Sequence, residues 1–406
     1  MKQFGPAIRR LANRLTWLSI LLLVGCDYHS RQSTFDPKGP VAREQLDLFM
    51  ITVWVVLFLF VTVGGVLLYA VIRFRERKTD DPDFKPKQSH GNPLVEMSLI
   101  LVSIVMLVII AVPTLKAIWF THDLPEDDAS RLKNWYPERL PEETREEVLT
   151  VYVYGWQWWW SFEYPQLGLV TANELAVPVG KVVRLELRSR DVIHSFWLPK
   201  IAGKVDTIPG RTNSMWIQAD ETGRYYGQCA EFCGESHAYM LFRTDVLSDG
   251  DFAKWVDAQK TPASNPGGSE SWDQFRDSLA SYRKGDTPTG GNPLLEGAVL
   301  FYGKGQCNTC HAVKGSGIAM GVVAPDLTHV GSRKSIAAGW LDQTDEDGNI
   351  DPTLQLENFY HWVRNPDSVK PGNLMYKGTA GMMGLKDIQL TDDEVHKIAL
   401  YLQSLK

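Results

Sequence analysis

The chain has 406 residues, with 42 Lys and Arg against 48 Asp and Glu. That length predicts two or three domains, and the formal net charge of -6 gives no basic stripe of the kind a nucleic-acid binder needs. The five cysteines and fourteen tryptophans direct attention to sulfur chemistry and to membrane or electron-transfer surfaces, although composition alone proves neither.

Arg9, Arg10 and Arg14 precede the apolar run Leu15 to Val24, the layout of an export signal. Leu23-Val24-Gly25-Cys26 resembles a bacterial lipoprotein cleavage site. That would make residues 1–25 a signal peptide and Cys26 the lipid-carrying mature N-terminus, with an uncleaved anchor as the alternative. Residues 48–72 and 97–115 carry no charge, and each can span a hydrocarbon core of ~30 Å at about 1.5 Å per residue. Between them lie Arg73, Arg75, Arg77, Lys78, Lys85 and Lys87, which place this loop in the cytoplasm. Residues 26–120 therefore predict a transmembrane α-helical hairpin. Nearly everything after Phe120 falls outside a bacterial inner membrane. Glu96 stands at the cytoplasmic start of the second span, and a carboxylate at that depth points to a proton path. A carboxylate merely hydrated at the interface is the bland alternative.

Residues 121–148 are acid-rich and read as a solvated loop or short helix. Strand signals follow at 148–153, 167–170 and 182–187. In the last, Val183, Leu185 and Leu187 alternate with Arg184, Glu186 and Arg188. Short strands with Gly and Pro turns predict a β-sandwich or barrel. The run from Gly155 to Tyr164 is crowded with aromatic rings, most of which packing explains. From Cys229 to Met240 there are two thiols, an imidazole and a thioether, with Glu231 between the thiols. Soft sulfur with imidazole suits copper or zinc. A structural zinc site could use Cys229, Cys233 and His237, whereas Met240 speaks for copper. His194 upstream offers a second imidazole.

From Thr261 to Asn292, Pro, Gly and Ser become frequent. This predicts a linker over 263–292 with a short helix near 272–282. Residues 293–406 open with an amphipathic run, Leu294 to Tyr302. Cys307-Asn308-Thr309-Cys310-His311 follows, the attachment signature of covalently bound haem c. Its thiols add to the haem vinyl groups and His311 binds iron. A thioredoxin-type pair fails because no βαβ unit surrounds it. The opposite axial ligand should be Met, from Met375, Met382 or Met383. Residues 392–405 read as a C-terminal helix packing on the first. The loop from Asp345 to Asp351 is no EF-hand, since Leu354 stands where the bidentate Glu belongs. Every cysteine has a proposed task, which leaves none for a disulfide.

Two features carry a resemblance. One is Cys-x-Glu-x-Cys-x-x-x-His-x-x-Met at 229–240. The other is His194 ahead of Lys204-Val205-Asp206-Thr207-Ile208-Pro209-Gly210-Arg211. Together they resemble the binuclear copper (CuA) domain of cytochrome c oxidase subunit II. With the haem motif, the chain is similar to the fused form found in caa-type haem-copper oxidases. The resemblance implies a multidomain, membrane-anchored protein. After the hairpin come an all-β cupredoxin (CuA) domain over 121–262, the linker, and an all-α class I cytochrome c domain.

The same resemblance implies roles for single residues. Cys229 and Cys233 would bridge two coppers, and His194 and His237 would bind one copper each. Met240 and the carbonyl of Glu231 would complete the set. The Glu231 carboxylate would bind a magnesium ion shared with the catalytic subunit. Trp158 would be the surface ring through which electrons enter. Glu96 would lie at the mouth of a proton channel, although Met97-Ser98-Leu99 replaces the family's Trp-Thr pair. Lys370-Pro371-Gly372-Asn373-Leu374-Met375 is similar to the family's axial loop, which favours Met375. Ala324-Pro325-Asp326-Leu327 looks like the segment whose Pro carbonyl holds the axial His.

The implied role is the electron-input subunit of a proton-pumping terminal oxidase that reduces oxygen to water. Its partners would be catalytic subunit I, other oxidase subunits, the membrane, and cytochrome c or another donor protein. A quinol-oxidase subunit would lack the copper ligands. A nitric-oxide reductase using the same copper domain differs only in its partner subunit. A free electron-carrier lipoprotein fits poorly with two spans.

Overall fold

The computed structural model describes residues 28–75, 90–125, 127–136, 140–265, 272–286, 291–318, 321–378 and 383–406. The signal segment with Cys26, the loop cations from Arg77 to Lys87, and Met382 lie outside the described residues.

Helices α1 (Pro40–Phe74) and α2 (Pro93–His122) form the hairpin, each with Pro in its first turn, where a missing N–H costs nothing. Both are long and apolar enough to cross a membrane, and both expose large apolar side chains along that length. Asn92 caps α2, its side chain accepting from Leu94 N at 3.1 Å. The outer ends are tied to the next domain. Asp220 N donates to Lys38 O at 2.9 Å, and the Trp216 indole donates to Phe120 O at 3.2 Å.

Ten strands build that domain: β1 (Leu149–Trp156), β2 (Trp159–Tyr164), β3 (Leu169–Ala172), β4 (Glu174–Pro178), β5 (Val183–Ser189), β6 (His194–Trp197), β7 (Lys204–Thr207), β8 (Asn213–Ile217), β9 (Gly223–Cys229) and β10 (Leu241–Leu247). One sheet runs β3-β2-β1-β5-β8 and the other β4-β10-β9-β6-β7. β1 pairs with β5 and β4 with β10 in parallel; the remaining pairs are antiparallel. The alternation read in β5 is real: Val183, Leu185 and Leu187 are buried. Between the sheets Phe196 and Phe242 stack at 4.2 Å, with Trp160 edge-on to both. Burying each such ring is worth roughly 1.5–3 kcal/mol.

The acid-rich segment is not a solvated loop. Leu132, Trp135, Tyr136 and Leu140 join the sandwich core, and Val182 N donates to Ser130 Oγ at 2.7 Å. Short 3-10 turns carry these side chains inward, so no helical or strand period marked them in the sequence. Helix α3 (Asp249–Lys260) then packs Phe252 and Val256 on the same core.

The C-terminal domain is helical, with α4 (Trp272–Arg283), α5 (Pro293–Tyr302), α6 (Pro352–Arg364), α7 (Pro366–Val369), α8 (Leu374–Lys377) and α9 (Asp392–Ser404). A small hairpin pairs β11 (Ser335–Ile336) with β12 (Leu341–Asp342). The first and last long helices of the haem-motif region, α5 and α9, cross closely at Gly297. A Cβ there would meet Lys397 O at 2.0 Å, so only glycine permits the approach. Thr391 and Glu394 form a reciprocal cap on α9. The segment read as a linker is more ordered than expected. Phe275 and Leu279 of α4 are buried in the same core as Phe301 and Tyr401, because Trp272, Phe275, Leu279 and Tyr282 share one helical face.

Candidate copper and haem centres

The first centre forms where β6, β9 and the loop after β9 converge. His194 opens β6 and is fully buried. Its Nε2 lies 2.7 Å from Asp191 Oδ1, while its Nδ1 is buried and has no protein partner. The ligand atoms of His194, Cys229 and Cys233 all lie within 4.8 Å of one another. The two sulfurs are 3.8 Å apart. Cys233 Sγ is 3.5 Å from His237 Nδ1 and 3.8 Å from Met240 Sδ, and Cys229 Sγ is 3.2 Å from Glu231 O. An orphaned imidazole nitrogen facing two thiols, with a thioether and a carbonyl closing the ring, fits a soft metal.

The electrostatics agree. The Cys233 thiol, hydrogen-bonding to Cys229, pulls the Cys229 thiol well below its ordinary value. Sharing that proton with Cys229 raises Cys233 in turn. Two thiols in such contact give up their protons one at a time rather than together. Around these atoms stands a supporting layer. Gln157 Nε2 and the Trp158 indole both donate to Cys233 O, at 2.7 and 2.9 Å. Ala230 N donates to Ser195 O at 3.0 Å. The Glu231 side chain and Phe232 project into solvent.

The second centre is a cavity of ≈ 290 Å³ in the helical domain, with Cys307, Cys310, His311 and Met375 on its wall. A 3-10 turn spans Cys307–Thr309, and His311 Nδ1 lies 2.7 Å from Pro325 O. That bond fixes the tautomer and leaves Nε2 for iron. Burial pushes the Cys307 thiol up to about 12, so it is a neutral thiol rather than a reactive thiolate. Met375 is partly buried against the core. Met383 also reaches the cavity but is 55% exposed.

The copper-side domain closes this cavity. Trp156, Trp158 and Trp159 line it beside the haem-motif residues, and Trp156 stacks on Trp159 at 5.4 Å. The expectation of Trp158 as a surface ring is corrected here: it is only 8% exposed, packed in the core of its own domain while also lining the cavity. Lys370, lining the same cavity, donates to Trp158 O. Burial pushes its side-chain nitrogen down to about 7. Further along the seam, Glu174 Oε1 accepts from Lys334 N and Ser335 N, both at 3.1 Å, and from Arg224 at 2.7 Å. Leu241 N donates to Ala338 O at 3.0 Å. The contacts of Gln157, Glu174 and Lys370 are not legible in the sequence because each acts on a partner distant in the chain; Asp191 lies only three residues from its partner His194, but no residue pattern marks that bond.

Glu96 sits in the first turn of α2, exposed, with its carboxylate folded against Gly91.

Comparison with known proteins agrees along the chain. Residues 29–117 match the family described as cytochrome C oxidase subunit II, transmembrane domain, and residues 166–246 the periplasmic domain of the same subunit. Residues 294–406 match cytochrome c. The cytochrome c oxidase subunit 2 of Alkalihalophilus pseudofirmus is 32% identical over 399 residues, covering 98% of each chain. A quinol oxidase subunit 2 of Bacillus cereus is 31% identical over 256 residues, 63% of this chain and 81% of that protein. The crystal structure of the periplasmic domain of subunit II of cytochrome oxidase from Bradyrhizobium japonicum is 41% identical. It covers 28% of this chain and 93% of that one, with a TM-score of 0.27. A near-full-length relative and three consecutive domain matches place the chain in the cytochrome c oxidase subunit II family, in the form that carries a cytochrome c domain behind the copper domain.

Proposed function

We propose that this subunit takes electrons from an external donor at its cytochrome c domain and hands them, through its copper domain, to the catalytic subunit of a proton-pumping terminal oxidase that reduces oxygen to water. The observation that carries this reading is the shared wall. The cavity holding Cys307, Cys310, His311 and Met375 is closed by Trp158, whose indole is bonded to the backbone of Cys233.

When bound, haem c and the binuclear CuA centre supply one-electron carriers on the two sides of that wall. The chain's own residues hold them. Cys307 and Cys310 would tether the porphyrin, and His311, oriented by Pro325, and Met375 would ligate its iron. Cys229 and Cys233 would hold copper through their thiolates. His194, oriented by Asp191, and His237 would bind one each, with Met240 and Glu231 O as weak ligands. The burial of His194, Cys229, Cys233 and Met240 would keep water from the copper side. The Glu231 carboxylate, free in solvent, is suited to a magnesium ion shared with catalytic subunit I, and Glu96 to a proton path there.

The hairpin would lie in a bacterial inner membrane with both later domains on the periplasmic side, and Cys26 would carry lipid. Loss of acyl labelling in Cys26→Ser tests that attachment; labelling that persists refutes it. Supporting a cytochrome rather than a quinol donor are the buried thiol pair and the Cys-x-x-Cys-His motif. The test of the whole is the purified complex supplied with reduced cytochrome c. Oxygen consumption, with hyperfine splitting from two equivalent coppers in the EPR spectrum, is expected. Nitric-oxide reduction without oxygen consumption, or a single copper or zinc per chain, overturns the reading.

A further inference from the structure

Lys370 is a buried amine on the wall of the haem cavity. It is 3% exposed, makes no ion pair among the described residues, and directs its nitrogen across the domain seam to Trp158 O. Leaving an amine in such a place costs free energy that packing does not return. A Met or Leu would fill the same volume more favourably, so what distinguishes Lys370 is its one bond.

That bond starts a short relay. Lys370 holds the carbonyl of Trp158, and the Trp158 indole holds the carbonyl of Cys233 at 2.9 Å. The next residue repeats the grip on the far side of the copper loop, since Ser236 Oγ donates to Pro371 O at 2.6 Å. Gly372 follows with a φ of +80°, and a Cβ there would strike Glu235 Oε2 at 2.0 Å. Pro371 and Gly372 thus seat against the loop that carries Cys233 and His237, while Lys370 grips the Trp158 turn bonded to that loop. The ion pair of Lys377 with Glu235, 3.0 Å and about half exposed, adds little to this register.

We propose that Lys370 is a positioning residue for the internal electron step: its nitrogen pins the Trp158 carbonyl and so fixes the haem cavity and the copper loop at one separation. The proposal rests on the haem-to-copper reading above. Electron tunnelling falls exponentially with distance. A seam free to slide would therefore slow transfer even with both centres intact.

The test uses the full complex with both centres loaded. A photoreductant pulse reduces the haem, and copper reduction is followed by its own absorption. Lys370→Met removes the nitrogen at similar volume, and Lys370→Gln keeps an N–H donor. We expect unchanged haem and copper spectra in both variants. Internal transfer should slow by about tenfold or more in Lys370→Met, with partial recovery in Lys370→Gln. Wild-type transfer rates in Lys370→Met overturn the proposal. So does slowed transfer accompanied by altered copper hyperfine splitting or haem absorption, which would mark a direct effect on a ligand. Loss of haem from both variants overturns it as well, in favour of a folding role. If the wild-type complex itself shows no haem-to-copper transfer, the underlying reading fails instead.

Discussion

Gly155 on β1 controls how deeply His194 can sit. A Cβ at this position would lie 2.6 Å from His194 Cδ2, 3.0 Å from its Cγ and 3.0 Å from Thr207 Oγ1. Carbon atoms at rest approach to about 3.5–4.0 Å, so Gly155→Ala forces the imidazole back by roughly 1 Å. It has nowhere to go. The ring is fully buried, is backed edge-on by Trp160 at 5.9 Å, and is tied to Asp191 at 2.7 Å. Overpacking of this kind costs about 1–3 kcal/mol, and here the strain is concentrated on one metal ligand. If it is expressed in metal binding, copper retention weakens by about 5- to 150-fold. Competition with a copper chelator, followed by the thiolate–copper absorption of the intact complex, measures this directly. The EPR hyperfine pattern should become inequivalent. Gly250→Ala is the control, since nothing lies within 4 Å of the added carbon. Unchanged copper retention and an unchanged spectrum in Gly155→Ala would refute the placement of His194 as a ligand.

Asp191→Asn removes the charged partner of the His194 ring and should cost about 10- to 100-fold in copper affinity, by the same chelator assay. Met375→Leu should keep its haem through Cys307 and Cys310 but lose the thioether band and drop in reduction potential. Met383→Leu, at a side chain mostly in solvent, should do neither. Redox titration with absorption spectra distinguishes the two. The depressed value of Lys370 sets a pH trend. The unfolded chain binds this proton up to about pH 10, whereas the folded side chain releases it above about 7. The unfolded state therefore holds more protons across that window. Stability should rise with pH by at most about 1.4 kcal/mol per unit between about pH 7 and 10, and be flat in this respect below about 7, where both states hold the proton. Thermal melting of the haem domain between pH 7 and 9 should show this rise, and Lys370→Met should flatten it.

What could be read from the chain alone was local. Membrane spans follow from uninterrupted apolar length, because a bilayer demands about twenty consecutive apolar residues whatever lies nearby. Cys307, Cys310 and His311 are legible because covalent haem attachment needs them adjacent, and Cys229 to Met240 because five ligating groups crowd one loop. The alternation of Val183, Leu185 and Leu187 marked its strand for the same reason: side-chain period is a property of the strand itself. Tertiary structure decided everything that acts across long separations. The short turns holding Leu132 and Trp135 have no period, so their burial appears only once the sandwich exists. The helix carrying Phe275 and Leu279 lay in a stretch whose Gly and Pro suggested a tether, and a neighbouring core claimed it. Trp158 is expected at the surface only by resemblance; in the fold it joins the core of its own domain and lines the cavity of the second. Lys370 is separated from Trp158 by 212 residues. No local pattern encodes such a bond, since its energy depends on two folded surfaces meeting in a single register.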